Sequence, residues 1–175
     1  RVHPTLIPAK RLIANVEGAM NAVLVKGDAV GATLYYGKGA GAEPTASAVI
    51  ADLVDVTRMH TADPEHRVPH LAFQPDAMVD LAILPISAVV SSYYLRLRVE
   101  DRPGVLADVT RILADDGISI VAMIQREPGE GEEQTDIIML THKTRERNID
   151  TAIAGIESLP AVKGRIIRLR LEELL

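Results

Sequence analysis

The most regular pattern of hydrophobic and polar positions lies in residues 91–175. Side chains alternate between apolar and polar across Tyr93–Val99, which predicts a half-buried strand. Apolar residues then recur every three or four positions across Pro103–Asp115, which predicts an amphipathic helix that stops at Gly117. The same two periods recur further along and predict a helix at Glu146–Leu159 and strands at Ile118–Gln125, Asp136–Thr141 and Gly164–Leu171.

This order of elements, β-α-β-β-α-β, is that of a ferredoxin-like fold, in which two helices cover one face of an antiparallel sheet. Its core should come from the apolar positions of the first strand and of both helices. These are Leu95, Leu97 and Val99, then Val105, Leu106, Val109, Ile112 and Leu113, and finally Ile149, Ala152, Ile153 and Ile156.

Residues 1–58 are rich in alanine, glycine and valine, and their patterns are shorter. They predict, in order, a strand at Val2–Ile7, a short helix at Arg11–Glu17, and strands at Asn21–Gly27 and Ala32–Tyr36. Pro44 suits the first position of a helix predicted over residues 44–59. The apolar stripe of that helix is expected to be buried and consists of Ala46, Val49, Ile50, Leu53, Val54 and Thr57.

Residues 59–90 hold four prolines and little periodicity, so we predict a linker with short helical content. We therefore expect an α+β protein with three parts, residues 1–58, 59–90 and 91–175. The first residue is not methionine, and Val2 already lies in a predicted strand. For this reason we expect the chain to be a piece of a longer protein, and a trimmed or processed N-terminus is the alternative.

The composition limits the classes of partner. A net charge of −5 and a mean hydropathy of +0.13 are typical of a globular chain. No apolar run reaches the roughly 18 residues of a membrane-spanning helix, and no concentrated basic stretch suits nucleic acid. The absence of cysteine excludes disulfides, thiol catalysis, iron–sulfur clusters and cysteine zinc sites. It also fits a reducing compartment, and we expect a cytoplasmic location.

The glycine-rich segment Gly37–Ala42 follows a predicted strand and precedes a predicted helix, as in a relaxed dinucleotide fingerprint. Glycines let the backbone approach a pyrophosphate, and a helix N-terminus attracts the anion. A complete unit needs a second parallel strand after the helix, whereas this chain continues into Met59–Pro64, a predicted loop. The alternatives are a turn that lets a helix pack closely on a strand, and a turn beside a cofactor that other residues bind.

The sequence predicts no metal centre and no anchored catalytic group. Motifs that would anchor a Ser/His/Asp set are absent, although a dispersed set stays open. Metal-ligand spacing is also absent among the five histidines, which are His3, His60, His66, His70 and His142.

A tight turn at Asp101–Leu106 connects a predicted strand to a predicted helix. Gly104 lacks a Cβ, so a small ligand could approach the backbone there. The free N–H groups of the helix start could bind a carboxylate, and the amide of Gln125 could both donate and accept. An ordinary turn, with Asp101 capping the helix, is the alternative.

Residues Tyr93 to about Glu172 resemble an ACT domain, a small regulatory module that binds amino acids. The resemblance rests on Asp101–Leu106, Ile118–Ile120 and Gln125, together with the β-α-β-β-α-β order. It implies a ferredoxin-like βαββαβ module that forms at least a dimer and binds a small amino acid between two copies. The implied effector-binding residues are Asp101, Gly104, Val105 and Gln125.

The first part of the chain is similar to the C-terminal portion of the catalytic region of homoserine dehydrogenase. The similarity is carried by Val2–Pro8, Asn21–Val23 and Gly39–Asp52, and it continues through Leu71–Phe73. It implies an oxidoreductase that interconverts L-homoserine and L-aspartate 4-semialdehyde with NAD(P). Gly39 and Gly41 would then be cofactor-binding residues, and L-threonine, an end product of the pathway, would be the effector.

The same resemblance implies what this chain lacks. The family's dinucleotide fingerprint and its acid/base lysine would lie upstream of Arg1. We therefore expect no catalytic residue in this chain, no bound NAD(P) and no turnover by the chain alone. A stand-alone ACT-type amino-acid sensor is the alternative interpretation, whereas an ACT domain of an aspartate kinase does not fit residues 1–58.

Overall fold

The structure is a computed structural model that describes residues 2–62 and 75–174. The chain divides into a C-terminal unit of residues 1–8 and 83–175 and a central unit of residues 9–82. The strands are β1 (Thr5–Leu6), β2 (Met20–Gly27), β3 (Gly31–Lys38), β4 (Val90–Glu100), β5 (Ile120–Gln125), β6 (Gln134–Thr141), β7 (Thr144–Arg145) and β8 (Val162–Leu171). The helices are α1 (Ala42–Thr61), α2 (Val105–Asp115) and α3 (Glu146–Glu157), with short 3-10 turns at Leu12–Asn15, Pro75–Ala77 and Ile86–Ala88.

The C-terminal unit is built on a sheet in the order β1-β8-β4-β6-β5, and β7 pairs with β4. The pairs β4–β6, β4–β8 and β5–β6 are antiparallel, as the ferredoxin-like order predicts. The α+β fold class is therefore confirmed. Sequence periodicity missed β7, because two residues are too few to show an alternation.

The core lies between the sheet and the two helices α2 and α3. Leu95, Leu97, Val109, Leu113 and Ile149 are completely buried there. The positions predicted to point inward are all buried or packed against this core. The alternation in the strands and the spacing in the helices were sufficient to predict these positions, because the same buried core determines both patterns.

Strand β1 departs from the prediction. Only Thr5–Leu6 forms a strand, and it pairs in parallel with β8 rather than with the hairpin that follows it in the chain. The predicted division at residue 58 assigned these residues to the first part, whereas their contacts group residues 1–8 with residues 83–175. The backbone hydrogen bonds available at the β8 edge decide this position, and no local pattern encodes them.

A group of charged and polar side chains lies on the helix face of the sheet. Glu146, at the start of α3, is 2% exposed. Its carboxylate accepts hydrogen bonds from the Tyr93 hydroxyl at 2.7 Å and from Arg170, whose Nε lies 3.1 Å from Oε2. Arg168 also lies near it, with its closest guanidinium nitrogen 3.5 Å from Oε1. Burial and the hydrogen bond to Glu146 raise the pKa of Tyr93 to about 12.

The described part of the central unit contains a β2–β3 hairpin and the long helix α1. The hairpin is antiparallel and closes between Gly27 and Gly31, as the turn signal predicts. The expectation that α1 buries an apolar stripe is wrong, because no residue of the helix is buried. Leu53 is 56% exposed and Ile50 is 59% exposed. An amphipathic helix buries its stripe only where a second apolar surface covers it, and residues 9–62 bury none of their side chains.

The predicted linker at residues 59–90 has the short helical content expected for its described residues, at Pro75–Ala77 and Ile86–Ala88. However, α1 extends to Thr61, so the helix runs further than predicted. Residues His66 and His70 and the segment 71–73 lie outside the described residues. Within the described ranges, no helix has the length and apolar character needed to cross a membrane.

Candidate functional site at the start of helix α2

The turn between β4 and α2 holds Gly104 in the left-handed region, with φ 93° and ψ −25°. A residue with a Cβ is strained in this conformation, so glycine suits the position. A Cβ added here would meet no atom within 4 Å, which means that the space beside the glycine is open. The sequence therefore places an unobstructed stretch of backbone at this turn.

Helix α2 begins at Val105, two residues later than predicted, and no side chain caps it. The first backbone hydrogen bond of this end runs from the N–H of Asp108 to the Gly104 carbonyl at 3.0 Å. The N–H groups of the first turn therefore have no acceptor within the helix. Such a start, with the positive end of the helix dipole, suits an anion such as a carboxylate.

Asp101 does not cap α2, and this corrects the alternative interpretation from the sequence. Its Oδ1 instead accepts a hydrogen bond at 3.2 Å from the side-chain amide of Gln125, at the end of β5. The backbone N–H of Asp101 donates to the Glu133 carbonyl at 2.9 Å, which fixes the turn against the β5–β6 loop. The structure thus brings Asp101, Gly104 and Gln125 together although they lie far apart in the sequence.

These residues line one cavity of about 410 Å³. A volume of this order is typical of sites for small molecules. All four predicted effector-binding residues are among those lining it, which are Val99, Glu100, Asp101, Arg102, Pro103, Gly104, Val105, Leu106, Gln125 and Ile137.

The rim of the cavity contains a paired cluster that the sequence did not reveal. Glu100 accepts a hydrogen bond from Arg102 at 3.0 Å, and its Oε1 lies 2.7 Å from the ammonium of Lys163. The hydrogen bond from Lys163 is the main cause that lowers the pKa of Glu100 below its usual value. Lys163 lies on β8 and meets the turn only because β8 pairs with β4, so spacing in the sequence gave no signal for it.

A second ion-paired group lies next to this rim. The guanidinium of Arg98 contacts Glu132 at 2.7 Å and Asp136 at 3.4 Å. The hydrogen bond that Arg98 donates to Glu132 is the main cause that raises the pKa of Arg98. The charges around the mouth are therefore balanced, and the carboxylate of Asp101 is bound by a neutral amide rather than by a cation.

The predicted cofactor-binding glycines lie in the central unit, in the loop between β3 and α1. Gly41 precedes α1 with φ 135°, and its carbonyl accepts a hydrogen bond from the N–H of Thr45 at 3.0 Å. A Cβ at Gly39 would clash with the side-chain amide of Asn21. Strand β3 is antiparallel to β2, so the described residues here do not form the parallel unit of a dinucleotide fingerprint.

The described parts of the structure contain no candidate metal site. Residues 2–62 and 75–174 contain no group of three or more His, Asp or Glu side chains able to hold a metal ion. His3 contacts Thr5, with 2.9 Å between its Nδ1 and the hydroxyl, and the His142 N–H donates to the Ser119 carbonyl. The cavity at the start of α2 is distinguished by the four predicted effector-binding residues that line it.

Comparison with known proteins identifies both parts of the chain. A family model for homoserine dehydrogenase matches residues 1–54, and one for the ACT domain matches residues 93–161. Homoserine dehydrogenases of Pseudomonas aeruginosa and Methylobacillus glycogenes are 59% and 63% identical over 174 residues. These matches cover 99% of this chain but only 40% and 41% of the relatives.

A crystal structure of a homoserine dehydrogenase from Thiobacillus denitrificans is 71% identical, with a TM-score of 0.89. It matches 99% of this chain, which in turn covers 39% of that protein. The chain thus spans about two fifths of the length of the relatives it matches. It therefore corresponds to the C-terminal part of homoserine dehydrogenase, a segment matched by the family model of that enzyme followed by an ACT domain.

Proposed function

We propose that this chain is the regulatory C-terminal part of an NAD(P)-dependent enzyme that interconverts L-homoserine and L-aspartate 4-semialdehyde. In this proposal the cavity at the start of α2 binds a small amino acid, L-threonine, as the effector. One observation carries the assignment of the site. The uncapped start of α2 and the Asp101–Gln125 pair open into the same small cavity, beside a glycine with free space next to it.

The chemistry of the cavity matches a free amino acid. The ligand carboxylate would accept hydrogen bonds from the first N–H groups of α2, where the helix dipole favours negative charge. Its ammonium would bind the carboxylate of Asp101, which lies 3.2 Å from the Gln125 amide. Gln125 would then bind the side-chain hydroxyl of threonine, because an amide both donates and accepts.

The effector would bind between two copies of the chain. Within the described residues, β5 is the outer strand at one end of the sheet, while β1 covers the edge of β8 at the other. Strand β5 carries Gln125 and exposes Val121, Met123 and Ile124. An exposed apolar edge strand favours pairing with another strand, so we place the homodimer contact along β5, beside the effector site.

The cofactor belongs to the complete enzyme in this proposal. The loop containing Gly39 and Gly41 would lie next to NAD(P) there, because its small residues and the start of α1 leave the backbone accessible. The chain alone is expected to have no dehydrogenase activity. Production of NAD(P)H from homoserine by the purified chain, above a control without enzyme, would contradict this expectation.

Calorimetry with L-threonine, L-isoleucine and L-methionine tests the effector site directly. We expect heat from L-threonine binding to the wild-type chain and no binding to Gly104→Leu, whose side chain fills the cavity mouth. Gly131→Leu is the matched control, because Gly131 also has a positive φ of 81° and open space but lies outside the cavity. Equal binding by both variants would place the site elsewhere, and no heat with any amino acid at millimolar concentration would overturn the proposed effector site.

A further inference from the structure

Strand β1 connects two parts of the chain that match different family models, one for homoserine dehydrogenase and one for the ACT domain. Residues 5–6 lie in the segment matched by the homoserine dehydrogenase model, yet they complete the sheet of the ACT domain. Thr5 pairs with Arg170 and Leu6 with Leu171, and the Glu172 N–H donates to the Leu6 carbonyl at 3.0 Å. From Pro8 the chain passes directly into the central unit.

The strand partner of β1 is anchored in the interior of the ACT domain. Arg170, opposite Thr5, donates hydrogen bonds to the buried carboxylate of Glu146, which also binds the Tyr93 hydroxyl. A displacement of the end of β8 would therefore break contacts of a buried charge. Because unpairing a buried charge is costly, these contacts hold this end of β8 in place.

Strand β4 connects this anchor with the effector cavity. Its last residues, Val99 and Glu100, line that cavity, while Tyr93 pairs with Arg170 near the other end. The β4–β8 pairing has a register shift between Arg96 and Arg98, and Gly164 on β8 has a φ of 74°. Such an irregularity locally interrupts the ladder of hydrogen bonds and bends the strand.

Space beside β1 allows it to change position. Residues 6–8 line a groove of about 740 Å³ together with Leu140 and Leu171 on the sheet and with the ends of β6 and β8. The short strand thus has few packing partners on that side. A two-residue strand held at a sheet edge is also among the elements that open most easily.

We propose that β1 is the coupling strand through which occupancy of the amino-acid cavity is communicated to the dehydrogenase segment, by way of β4 and the Tyr93–Glu146–Arg170 contacts. This inference rests on the proposed function of that cavity as an effector site. Linkage then requires reciprocity, so that removal of β1 changes the affinity of the cavity for its ligand.

The test compares the wild-type chain with a variant that lacks residues 1–8 and a control that lacks only residues 1–3 and retains β1. L-Threonine affinity is measured by calorimetry, and backbone amide spectra confirm that the core is folded. We expect the removal of residues 1–8 to change Kd at least fivefold, while the control stays within twofold of the wild type. Equal affinity in all three chains would overturn the proposal.

A second measurement does not depend on the deletion. Exchange of the Glu172 amide with solvent is compared, relative to the core amide of Leu97, with and without saturating L-threonine. We expect at least a threefold change on binding, and binding without any change would overturn the coupling. If no amino acid binds, the proposed function fails, and the same amide is followed in Gly104→Leu. An altered Glu172 exchange there would still support the coupling, and an unchanged one would overturn it.

Discussion

The carboxylate of Glu146 is buried and has hydrogen-bonding and ionic partners. Burial alone would raise its pKa, but hydrogen bonds from Tyr93 and Arg170, with the charges of Arg170 and Arg168, hold the pKa below its usual value. The folded state therefore binds this proton more weakly than the unfolded state, whose pKa is about 4.3. The resulting stabilisation is fully present above that pH and is lost as pH falls through the lower folded pKa.

Glu146→Gln tests this account at a single residue. At pH 7 we expect a loss of about 2–3 kcal/mol in the free energy of unfolding, because Arg170 loses its buried counter-charge. The difference from the wild type should narrow as pH falls below about 4.3. Urea unfolding between pH 3 and pH 7 measures this difference in the free energy of unfolding.

Asp150→Asn is the control, since Asp150 contacts Arg168 from the surface and this substitution should lower the free energy of unfolding by about 0.5 kcal/mol or less. A difference that does not depend on pH would contradict the ion-pair explanation.

Gly41 gives a second prediction at this scale. Its φ of 135° and ψ of 154° lie in a region that essentially only glycine adopts, and an added Cβ would lie 3.2 Å from Pro44 Cδ. In the complete enzyme, Gly41→Val should destabilise the loop by about 1–3 kcal/mol and raise the KM for NAD(P). Steady-state kinetics and thermal unfolding measure both effects. Gly37→Val is the matched control, because Gly37 lies in β3 with nothing within 4 Å of its Cβ position. Unchanged stability and an unchanged KM for NAD(P) in Gly41→Val would show that Gly41 neither stabilises this loop nor contributes to cofactor binding.

At the scale of elements, the two ends of the ACT sheet differ. Strand β8 is covered by β1, whereas β5 is the outer strand of the described sheet. Natural edge strands carry charges or short lengths that prevent pairing, but β5 is apolar along most of its six residues. The edge is therefore suited to a second copy of the same strand.

Ile124→Lys should disrupt the proposed homodimer, because a charge on the apolar β5 opposes pairing with a second copy. Ile124 is 58% exposed, so the substitution should leave the core unchanged. Sedimentation at micromolar concentration measures the association. The control is Ile167→Lys on β8, at 43% exposure and remote from the β5 edge. Dissociation by Ile167→Lys but not by Ile124→Lys would show that the copies meet through the face of the sheet.

For the whole molecule, burial is distributed very unevenly. The C-terminal unit has a continuous core between the sheet and its two helices. By contrast, none of residues 9–62 is buried, although α1 and the hairpin carry large apolar side chains such as Leu53 and Tyr35. Apolar burial is the dominant favourable contribution to folding, so the two units should differ strongly in stability.

Hydrogen exchange should reveal this difference directly. We expect amides of β2, β3 and α1 to exchange at least 100-fold faster than those of β4, β6 and α3, because little free energy opposes their local opening. Mass spectrometry of the exchanged peptides measures the rates. The same peptides in a complete homoserine dehydrogenase provide the comparison. Equal protection of both units in this chain would mean that the central unit is stabilised by contacts other than apolar burial.

Most elements of the ACT domain could be predicted from the sequence because periodicity is a local property. Apolar and polar residues alternate across Tyr93–Val99, and apolar residues recur at helical spacing in α3. Each pattern therefore shows which face of its element is buried. A tight turn near Gly104 was also predicted, although the helix was expected to begin two residues earlier, at Pro103. The candidate site could be predicted only in part, because Lys163 and the Asp101–Gln125 contact depend on strands that are distant in sequence.

The sequence by itself therefore determined the βαββαβ order of the ACT domain, the core positions of that domain and the glycine turn near the start of α2. Only the tertiary structure decided that β1 joins β8, that Asp101 binds Gln125 instead of capping α2, and that the stripe of α1 is uncovered. The physical reason is the same in each case. A chain pattern specifies which face of an element is apolar, but hydrogen-bonding edges and covering surfaces come from other elements, whose positions no local pattern contains.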